Sequence, residues 1–384
     1  MTGKMHFNRT IFNEDHEQFR TTVNRFFHSE VLPRREEFEE AGIVDREIWL
    51  KAGSLGLLGP LMPEAYGGSG LDVSYATLVI EEQARAGLSG PGFMMHSNIV
   101  MPYILNYGTE AQKRQWLPKG ASGEAIMGIG MTEPGTGSDL QAIKTTARRE
   151  GDEYVIKGSK IFITNGISAD LIVMACKTDP TQGAKGVSLI LVETDRPGFR
   201  KGRNLKKLGM KLQDTAELFL DDVRVPVANL LGEEGRGFYY MMQELAWERL
   251  INSIWCVATC EAAIGYTTAY TRERSAFGKK IFEFQNTRFT LAQLVTETEI
   301  GRVFVDRCLV QMLEGELDPA TAAMAKYWTS DLQGRVLDAC LQLFGGYGYM
   351  WEYEICRAFA DARINRIWGG TNEIMKEIIA RNIP

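Results

Sequence analysis

The feature that most constrains this chain is the segment Gly237–Thr271, which is long and contains no proline. Two further long segments follow it, Thr287–Glu314 and Pro319–Phe344. Proline breaks a helix interior because its ring removes a hydrogen bond and clashes with the preceding turn. Segments of this length predict long helices, and several of them in succession favour a helical bundle.

The N-terminal part of the chain, up to about residue 122, also has a helical pattern. Glu14–Leu32 and Tyr75–Ala86 carry apolar residues at three- and four-residue spacing, which places those residues on one face of a helix. Prolines such as Pro33 and Pro118 are predicted to separate the helical segments.

Between about residue 125 and residue 231 the pattern changes to short runs rich in Val, Ile, Phe and Thr, which alternate with turn signals. The predicted strands are Tyr154–Ile156, Lys160–Thr164, Asp170–Met174, Val187–Val192 and Glu217–Leu220. A hairpin turn is predicted at 149–153, and the closely spaced strands indicate a small sandwich or barrel. Three domains are therefore predicted: a helical domain at 1–122, a β-domain at 123–234 and a helical bundle at 235–384.

The charge of the chain argues against a nucleic-acid partner. The formal net charge is -6 and the pI is about 5.5, whereas a nucleic-acid-binding face needs concentrated positive charge. No run approaches the length of a membrane span. The first residues lack the apolar core of a secretory signal, so a cytoplasmic location is expected.

Histidine and cysteine narrow the possible chemistry. Only four histidines are present, and three of them lie in the first 28 residues, so neither a zinc site nor a Ser-His-Asp triad is expected. The six cysteines form no CxxC pair and are expected to be buried free thiols. Catalysis is therefore expected to depend on carboxylates, backbone groups or a cofactor, without a metal.

Two glycine-rich segments stand out, Gly130–Asp139 and Gln342–Glu352. In the first, glycines let the backbone approach a ligand closely, and the hydroxyl groups of Thr132 and Ser138 are donors for a phosphate or an isoalloxazine edge. This segment matches neither the Rossmann fingerprint nor the P-loop. A plainer interpretation of each segment stays open: a loop with turn glycines, and a helix end closed by a glycine pair.

Together, in this order and spacing, the two segments resemble the acyl-CoA dehydrogenase family. Four other stretches are similar to motifs of that family: Tyr107–Lys113, Lys160–Gly166, Arg272–Gly278 and Trp368–Ile374. The resemblance covers nearly the whole chain. It implies an α+β multidomain fold with an N-terminal helical domain, a middle β-barrel or sandwich domain and a C-terminal four-helix bundle.

The resemblance also implies a flavoenzyme of fatty-acid or branched-chain acyl-CoA oxidation. Its substrate would be an acyl-CoA, its cofactor FAD, its electron acceptor an electron-transferring flavoprotein, and its assembly a homotetramer built as a dimer of dimers. The trans-2-enoyl-CoA would form as a base takes the α-proton and flavin N5 takes the β-hydride. Two alternatives stay open: a flavin oxidase or monooxygenase on the same fold, and a degenerate scaffold that binds flavin or acyl-CoA without catalysis.

Site residues follow from the resemblance by matching positions. The implied FAD contacts are Met131, Thr132, Gly137, Ser138, Phe162, Ile163, Thr164, Arg274, Phe277, Gln285, Gln342, Gly345, Gly346, Thr371 and Glu373. The implied substrate contacts are Ser138, Lys185, Tyr239, Arg249, Gly369 and Gly370. Phe162, where many members carry Trp, is expected to pack on the flavin ring, and Thr164 to reach N5. Arg274 is expected to act partly across a subunit boundary.

The base departs from the common pattern of the family. Most members carry a glutamate just before the Gly-Thr of the C-terminal loop, but this chain has Gly369 there, which cannot accept a proton. The long-chain and isovaleryl subgroup carries its base in a Glu-Arg-Leu context on the first long bundle helix, and Glu248 stands in that context. Its spacing from Met241 and Leu245 also places it on an apolar helix face, where burial raises a carboxyl pKa and suits a general base.

Two alternatives to Glu248 stay open on the sequence. In the first, Glu248 is not the base but an ion-pair partner of Arg249 or Arg272 at a helix contact. In the second, the base is Glu244, one turn earlier. In each case the backbone N–H of Gly369 and the ribityl 2′-hydroxyl are expected, by the resemblance, to polarise the thioester carbonyl.

Overall fold

The computed structural model describes residues 7–383; residues 1–6 and 384, and with them the outer ends of the first and third predicted domains, lie outside the described residues. Helices come first, then a sheet, then helices again, so the predicted order is confirmed. The exact domain boundaries stay predictions. The N-terminal helices are α1 (Glu14–Phe26), α2 (Arg35–Ala41), α3 (Arg46–Ser54), α4 (Val73–Arg85), α5 (Met101–Tyr107) and α6 (Glu110–Ser122).

Side-chain caps fix where several of these helices begin. Asn13 and His16 form a capping box at the start of α1, and Thr109 and Gln112 form another at the start of α6. The Asp72 carboxylate caps α4. These contacts satisfy N–H groups that the first turn of a helix leaves without partners.

The prediction that Pro118 separates helical segments is wrong, because Pro118 lies inside α6. The proline leaves the carbonyl of Arg114 without its helical partner. Arg114 is exposed, so water can satisfy that group. A different irregularity follows α1, where a π-helical stretch at Phe27–Val31 and a 3₁₀ turn at Leu32–Arg34 carry the chain onward.

Eight strands form one continuous sheet. They are β1 (Met127–Gly130), β2 (Thr146–Glu150), β3 (Glu153–Thr164), β4 (Leu171–Lys177), β5 (Val187–Glu193), β6 (Phe199–Asn204), β7 (Thr215–Pro226) and β8 (Leu230–Leu231). Their order is β6-β7-β3-β2-β4-β5-β8, and β1 pairs parallel to β4. Within the described residues the end strands do not pair with each other, so the sheet surrounds a shared core without closing into a barrel.

The predicted hairpin is present, because β2 and β3 pair antiparallel through a turn at Gly151. β3 joins the two runs Tyr154–Ile156 and Lys160–Thr164, which the sequence pattern separates. Its register against β7 shifts on both sides of Gly158. Such bulges interrupt the period-two alternation of side chains, which explains why the pattern suggests two strands.

β4 is buried on both faces, and this fixes how the sheet sits in the molecule. Leu171 and Val173 pack into the core that contains residues of α5 and α6. Ile172 and Met174 point into the core of the sheet itself. Because side chains alternate along a strand, one face of β4 meets the N-terminal helices while the other closes the β-region.

The C-terminal helices are α7 (Gly237–Glu273), α8 (Gln285–Leu313), α9 (Pro319–Phe344), α10 (Glu354–Ala362) and α11 (Asn372–Ala380). The three long predicted helices are thus confirmed. A short hairpin of β9 (Ser275–Ala276) and β10 (Lys279–Lys280) joins α7 to α8. From residue 7 to residue 383, no helix is both long enough and apolar enough to cross a bilayer.

A buried ion cluster joins the N-terminal helices to the bundle. Glu81 of α4 has no exposed side-chain surface and pairs with Arg302 of α8 at 2.7 Å and with Arg9 at 2.8 Å. Burial alone would raise the pKa of Glu81, but Arg302 and Arg9 hold it well below the ordinary value. The α4 helix also packs directly on α7 through Ile80 and Leu250, so it is in effect part of the bundle.

The cysteines are free thiols, as expected. Five are buried: Cys176 in the sheet, Cys256 and Cys260 in α7, Cys308 in α8 and Cys340 in α9. Cys356 of α10 is only partly buried, so the expectation of burial is wrong for this residue.

Candidate active site

A cavity of about 110 Å³ lies where the sheet, the N-terminal helices and the bundle meet. One face of α7 forms much of its wall. The residues that line it on α7 are Glu248, Arg249, Ile251, Asn252 and Trp255. The opposite wall is largely apolar and includes Pro91, Met94, Met95 and Ile99. Thr164 at the end of β3 and Gly369 on the C-terminal loop close the remaining sides.

Glu248 is the one carboxylate among the described residues that line this cavity. Burial raises its pKa to about 7, and the nearby Glu244 charge acts in the same direction. The hydroxyl of Tyr103, on α5, donates to Glu248 Oε1 at 3.2 Å and partly offsets this rise. A carboxylate with this pKa takes up a proton readily near neutral pH, as a general base must.

Glu244 is placed differently. Its Oε1 accepts hydrogen bonds from Tyr107 Oη at 2.7 Å and from Asn106 Nδ2 at 3.0 Å. It is not among the described residues that line the cavity. Glu244 therefore holds α5 against α7, and its geometry does not favour it as the base.

Within the described residues Glu248 forms no ion pair with Arg249 or Arg272, although the charge of the neighbouring Arg249 acts to lower its pKa. Its hydrogen-bond partner, within the part of the chain that the structure describes, is Tyr103. The Arg272 guanidinium lies over the ring of Phe282, at the far end of α7. Arg249 is buried, its Nε has no hydrogen-bond partner in the described residues, and burial lowers its pKa.

The loop before α11 brings backbone to the cavity. Gly369 and Gly370 have φ angles of 62° and 90°, a conformation that side chains other than glycine rarely adopt. A Cβ at Gly369 would meet nothing within 4 Å, so the space beside it is open. The Trp368 indole anchors the loop by donating to Asn252 Oδ1 at 3.1 Å. Thr371 caps α11, and Glu373 is exposed in its first turn.

The glycine-rich loop after β1 lies beside the end of β3. The Ile161 N–H donates to the carbonyl of Thr132 at 3.0 Å. Buried Lys160 donates to the Met131 carbonyl at 3.1 Å and pairs with Glu133 at 2.8 Å. These buried contacts therefore hold the inner part of the loop in one position.

The outer part of this loop has room for a ligand. Gly137 and Ser138 are exposed there, and a Cβ at Gly135 or Gly137 would meet nothing within 4 Å. A dinucleotide has room against this backbone, and its flavin end has apolar surface at Phe162. The residues present therefore fit FAD.

Phe162 is held in an unusual conformation. Its φ is 61°, it sits in the bulge between Lys160 and Ile163, and its ring is 65% exposed. An exposed aromatic ring in a strained backbone is typical of a ligand-contact position. The neighbouring Ile163 differs, because its side chain is buried in the sheet core and only its backbone can contact a ligand.

The remaining implied cofactor residues lie elsewhere. Arg274 follows the end of α7, about 39 Å from Glu248 along the helix axis at a rise of about 1.5 Å per residue. It lines a second, open cavity of about 660 Å³ together with Gln342, Gly345 and Gly346. Phe277 is 94% exposed on the β9–β10 turn, and Gln285 is exposed at the start of α8. These residues therefore form a group apart from the cavity that contains Glu248.

Four of the six implied substrate residues are not among those that line the cavity: Ser138, Lys185, Tyr239 and Gly370. Tyr239 is exposed in the first turn of α7, where the Arg236 guanidinium lies 4.4 Å from its ring. Lys185 is exposed in the 3₁₀ turn before β5. Both positions are compatible only with contacts to a part of the substrate that projects from the cavity.

Two residues beside the cavity are not predicted from the sequence, Tyr103 and Lys326. Tyr103 is far from Glu248 in the sequence, and nothing near it in the chain signals the contact. Lys326 lines the cavity, and here a signal exists: it is a lone cation among the small apolar residues of Ala322–Ala325.

Three family models match the chain in order. The model described as acyl-CoA dehydrogenase, N-terminal domain, matches residues 13–124. The middle-domain model of the same family matches residues 128–223, and its C-terminal-domain model matches residues 235–383.

Comparisons with individual proteins give the same family. The chain is 51% identical over 377 residues to the mitochondrial long-chain specific acyl-CoA dehydrogenase of Rattus norvegicus, covering 98% of this chain and 88% of that protein. A crystal structure of acyl-CoA dehydrogenase from Geobacillus kaustophilus is 47% identical with a TM-score of 0.96, covering 97% and 99% of the two chains. An acyl-CoA dehydrogenase complexed with FAD from Bacillus anthracis is 32% identical with a TM-score of 0.91, covering 97% of this chain and 67% of that one.

Proposed function

The chain belongs to the acyl-CoA dehydrogenase family, and from that premise we propose that Glu248 is the base in its FAD-dependent dehydrogenation of acyl-CoA. The observation that carries the proposal is the position of Glu248. It is the carboxylate on the wall of the cavity that Gly369 also lines, burial raises its pKa to about 7, and a side chain at Gly369 would meet nothing within 4 Å. A base on α7 therefore does the work that a loop glutamate does in most of the family.

The residues of this chain then have distinct tasks. Ionised Glu248 takes the α-proton of the thioester, and Tyr103 holds its carboxylate in place. The Gly369 N–H donates to the thioester carbonyl, which makes the α-proton acidic enough for a carboxylate to remove. FAD, when bound, supplies the acceptor for the hydride from the β-carbon. Thr164, Phe162 and the loop at Thr132–Ser138 would hold its flavin end.

The acyl chain is proposed to run along α7, from Glu248 toward Trp255. The apolar wall opposite, with Met94 and Ile99, suits a hydrocarbon chain. The relative named as long-chain specific supports a fatty acyl group as the substrate. Because no side chain fills the space at Gly369, branching near the reacting carbons is also accommodated in this proposal.

The assembly is proposed to be a homotetramer built as a dimer of dimers, in which Arg274 and Phe277 of one chain complete the FAD site of another. The exposure of this region supports the proposal, because Arg274 lines an open cavity and Phe277 is 94% exposed, so both are accessible to a cofactor held by another chain. An electron-transferring flavoprotein is the proposed electron acceptor. A cytoplasmic location completes the proposal and is supported by buried, unpaired thiols, which are typical of a reducing compartment.

Anaerobic mixing with acyl-CoAs tests the function directly. A panel of straight and branched acyl-CoAs, from butyryl to stearoyl, should bleach the flavin absorbance, fastest with fatty acyl chains. No bleaching with any member of the panel would favour a non-catalytic scaffold. Rapid turnover with oxygen as the only acceptor would favour an oxidase.

A further inference from the structure

Lys326 of α9 is a fully buried lysine that contacts the loop carrying Gly369. Its Nζ donates hydrogen bonds to the carbonyl oxygen of Gly370 at 2.7 Å and to Asn372 Oδ1 at 2.9 Å. The side chain lines the same cavity as Glu248. Both hydrogen-bond partners are neutral, and across residues 7–383 no carboxylate forms an ion pair with this ammonium group.

A buried ammonium group without a counter-ion is energetically costly. Burial accordingly lowers the pKa of Lys326 to about 8. Residue 326 follows Ala323 and Ala325 on α9, which are fully buried. An apolar side chain at this position would therefore pack at a lower energetic cost than a lysine. The contacts that a cation makes here, and an apolar side chain would not make, are the two hydrogen bonds to the loop.

The loop needs such contacts to hold one conformation. Gly369 and Gly370 are consecutive glycines in the left-handed region, and glycine populates both halves of φ space with little preference. On one side the chain is anchored by Trp368, and on the other by Asn372, whose amide donates to Ser330 Oγ at 3.0 Å. Lys326 supplies the hydrogen bond to the glycine pair between these anchors.

We propose that Lys326 is a positioning residue that fixes the Gly369–Gly370 turn and thereby aims the Gly369 N–H at the thioester carbonyl. This inference rests on the proposed function of the Glu248 cavity. Stabilisation of a developing oxyanion depends on the donor lying about 2.7–3.1 Å from the oxygen. A turn that loses its tether therefore polarises the carbonyl less, while the contacts that bind the rest of the substrate remain.

The test compares Lys326→Met with Lys376→Met in the FAD-containing oligomer. Lys376 is a suitable control because it is exposed on α11 and its ammonium group lies 4.7 Å from the ring of Tyr327, the neighbour of Lys326. Hydrogen exchange over residues 368–375 should be at least tenfold faster in Lys326→Met than in the control. The rate of flavin reduction should fall by about 10²-fold, as expected for a misplaced catalytic donor, while the Kd for acyl-CoA stays within threefold of the parent.

A spectroscopic measurement separates positioning from a general loss of structure. A chromophoric enoyl-CoA analogue shifts its absorbance to longer wavelength when its carbonyl is polarised. This shift should shrink in Lys326→Met and stay at the parental value in Lys376→Met. If Lys326→Met does not fold, Lys326→Gln, which keeps a neutral donor, should fold and show a shift smaller than that of the parent and of Lys376→Met.

One combined outcome would overturn the inference. Exchange, carbonyl shift and flavin reduction in Lys326→Met that all lie within threefold of the control would show that Lys326 does not position the loop. A parent protein that no acyl-CoA reduces would instead contradict the proposed function. Loop exchange would still decide whether Lys326 holds the turn, because that measurement does not require turnover.

Discussion

Two regions of α7 differ in how complete a site they form within one chain. We call the region around Glu248 the enclosed end and the region around Arg274 the open end. Around Glu248 the helix is enclosed by α5, the sheet and the C-terminal loop, and the Glu248 carboxylate is shielded. Around Arg274 the helix opens onto a broad cavity with exposed aromatic side chains, including Phe277. The first end has the burial that tunes a base, and the second has exposed apolar surface of the kind that protein–protein contacts cover.

This difference separates two tasks that share one helix. Proton removal needs a carboxylate in a water-poor site, and a single chain can build such a site. Binding the far end of a long cofactor needs surface that one chain leaves open here. Variants at the two ends should therefore affect chemistry and cofactor retention independently.

The largest expected effect is at the enclosed end. Glu248→Gln should lower the rate of flavin reduction by about 10³-fold, because it removes the proton acceptor and keeps the shape of the side chain. Stopped-flow absorbance after anaerobic mixing measures the rate. FAD content should stay at the parental value, and Glu244→Gln is the matched control. A rate within tenfold of the parent would show that another group is the base.

At the open end, Arg274→Ala should weaken FAD retention by about 10- to 100-fold, the range for loss of a charged hydrogen bond. Flavin fluorescence on serial dilution measures retention, and sedimentation measures assembly on the same samples. Arg272→Ala is the control, since Arg272 is exposed nearby but lies over Phe282 and does not line the cavity. A monomer that retains all of its FAD would remove the basis for a shared site.

The pKa of Glu248 predicts that the rate of flavin reduction depends on pH, while FAD retention at the open end does not. The base acts when it is ionised, so flavin reduction should rise about tenfold per pH unit below pH 6 and level off above about pH 7, the pKa of Glu248. Single-turnover rates across this range measure the profile. FAD retention should not follow the same curve, and a flat rate profile would contradict titration of the base.

The smallest expected effect is on stability. The folded protein disfavours ionised Glu248, because its pKa rises from an ordinary value of 4.5 to about 7. Stability that is present below pH 4.5 is therefore lost as the pH rises through 7. Glu248→Gln should be more stable than the parent at pH 8 by on the order of 1–3 kcal/mol, and the difference should vanish near pH 4. Denaturant titration at both pH values measures this, and a destabilised variant at pH 8 would count against a buried charge at Glu248.

Features that depend on neighbouring residues can be predicted from the sequence, whereas contacts between distant parts of the chain cannot. The predicted helix Pro319–Phe344 is confirmed over its full range. Its ends are set by residues next to it in the chain, since Asp318 caps its start and Gly345 follows its last residue. The prediction of a helix break at Pro118 is wrong, since the missing N–H of this proline is tolerated where Arg114 is exposed. The contact between Tyr103 and Glu248 joins distant parts of the chain and leaves no trace in either segment. The roles assigned to the site residues stay predictions.

The buried cysteines have a use that does not depend on catalysis. Alkylating reagents attack the thiolate, and burial raises the pKa of Cys176 and of Cys256 to about 12. Each of these sulfurs becomes reactive when the structure around it opens. Cys176 reports on the sheet, while Cys256 and Cys260 report on the middle of α7 and Cys340 on α9. Labelling resolved by residue would therefore show whether the sheet and the bundle open together or in sequence, without any engineered probe.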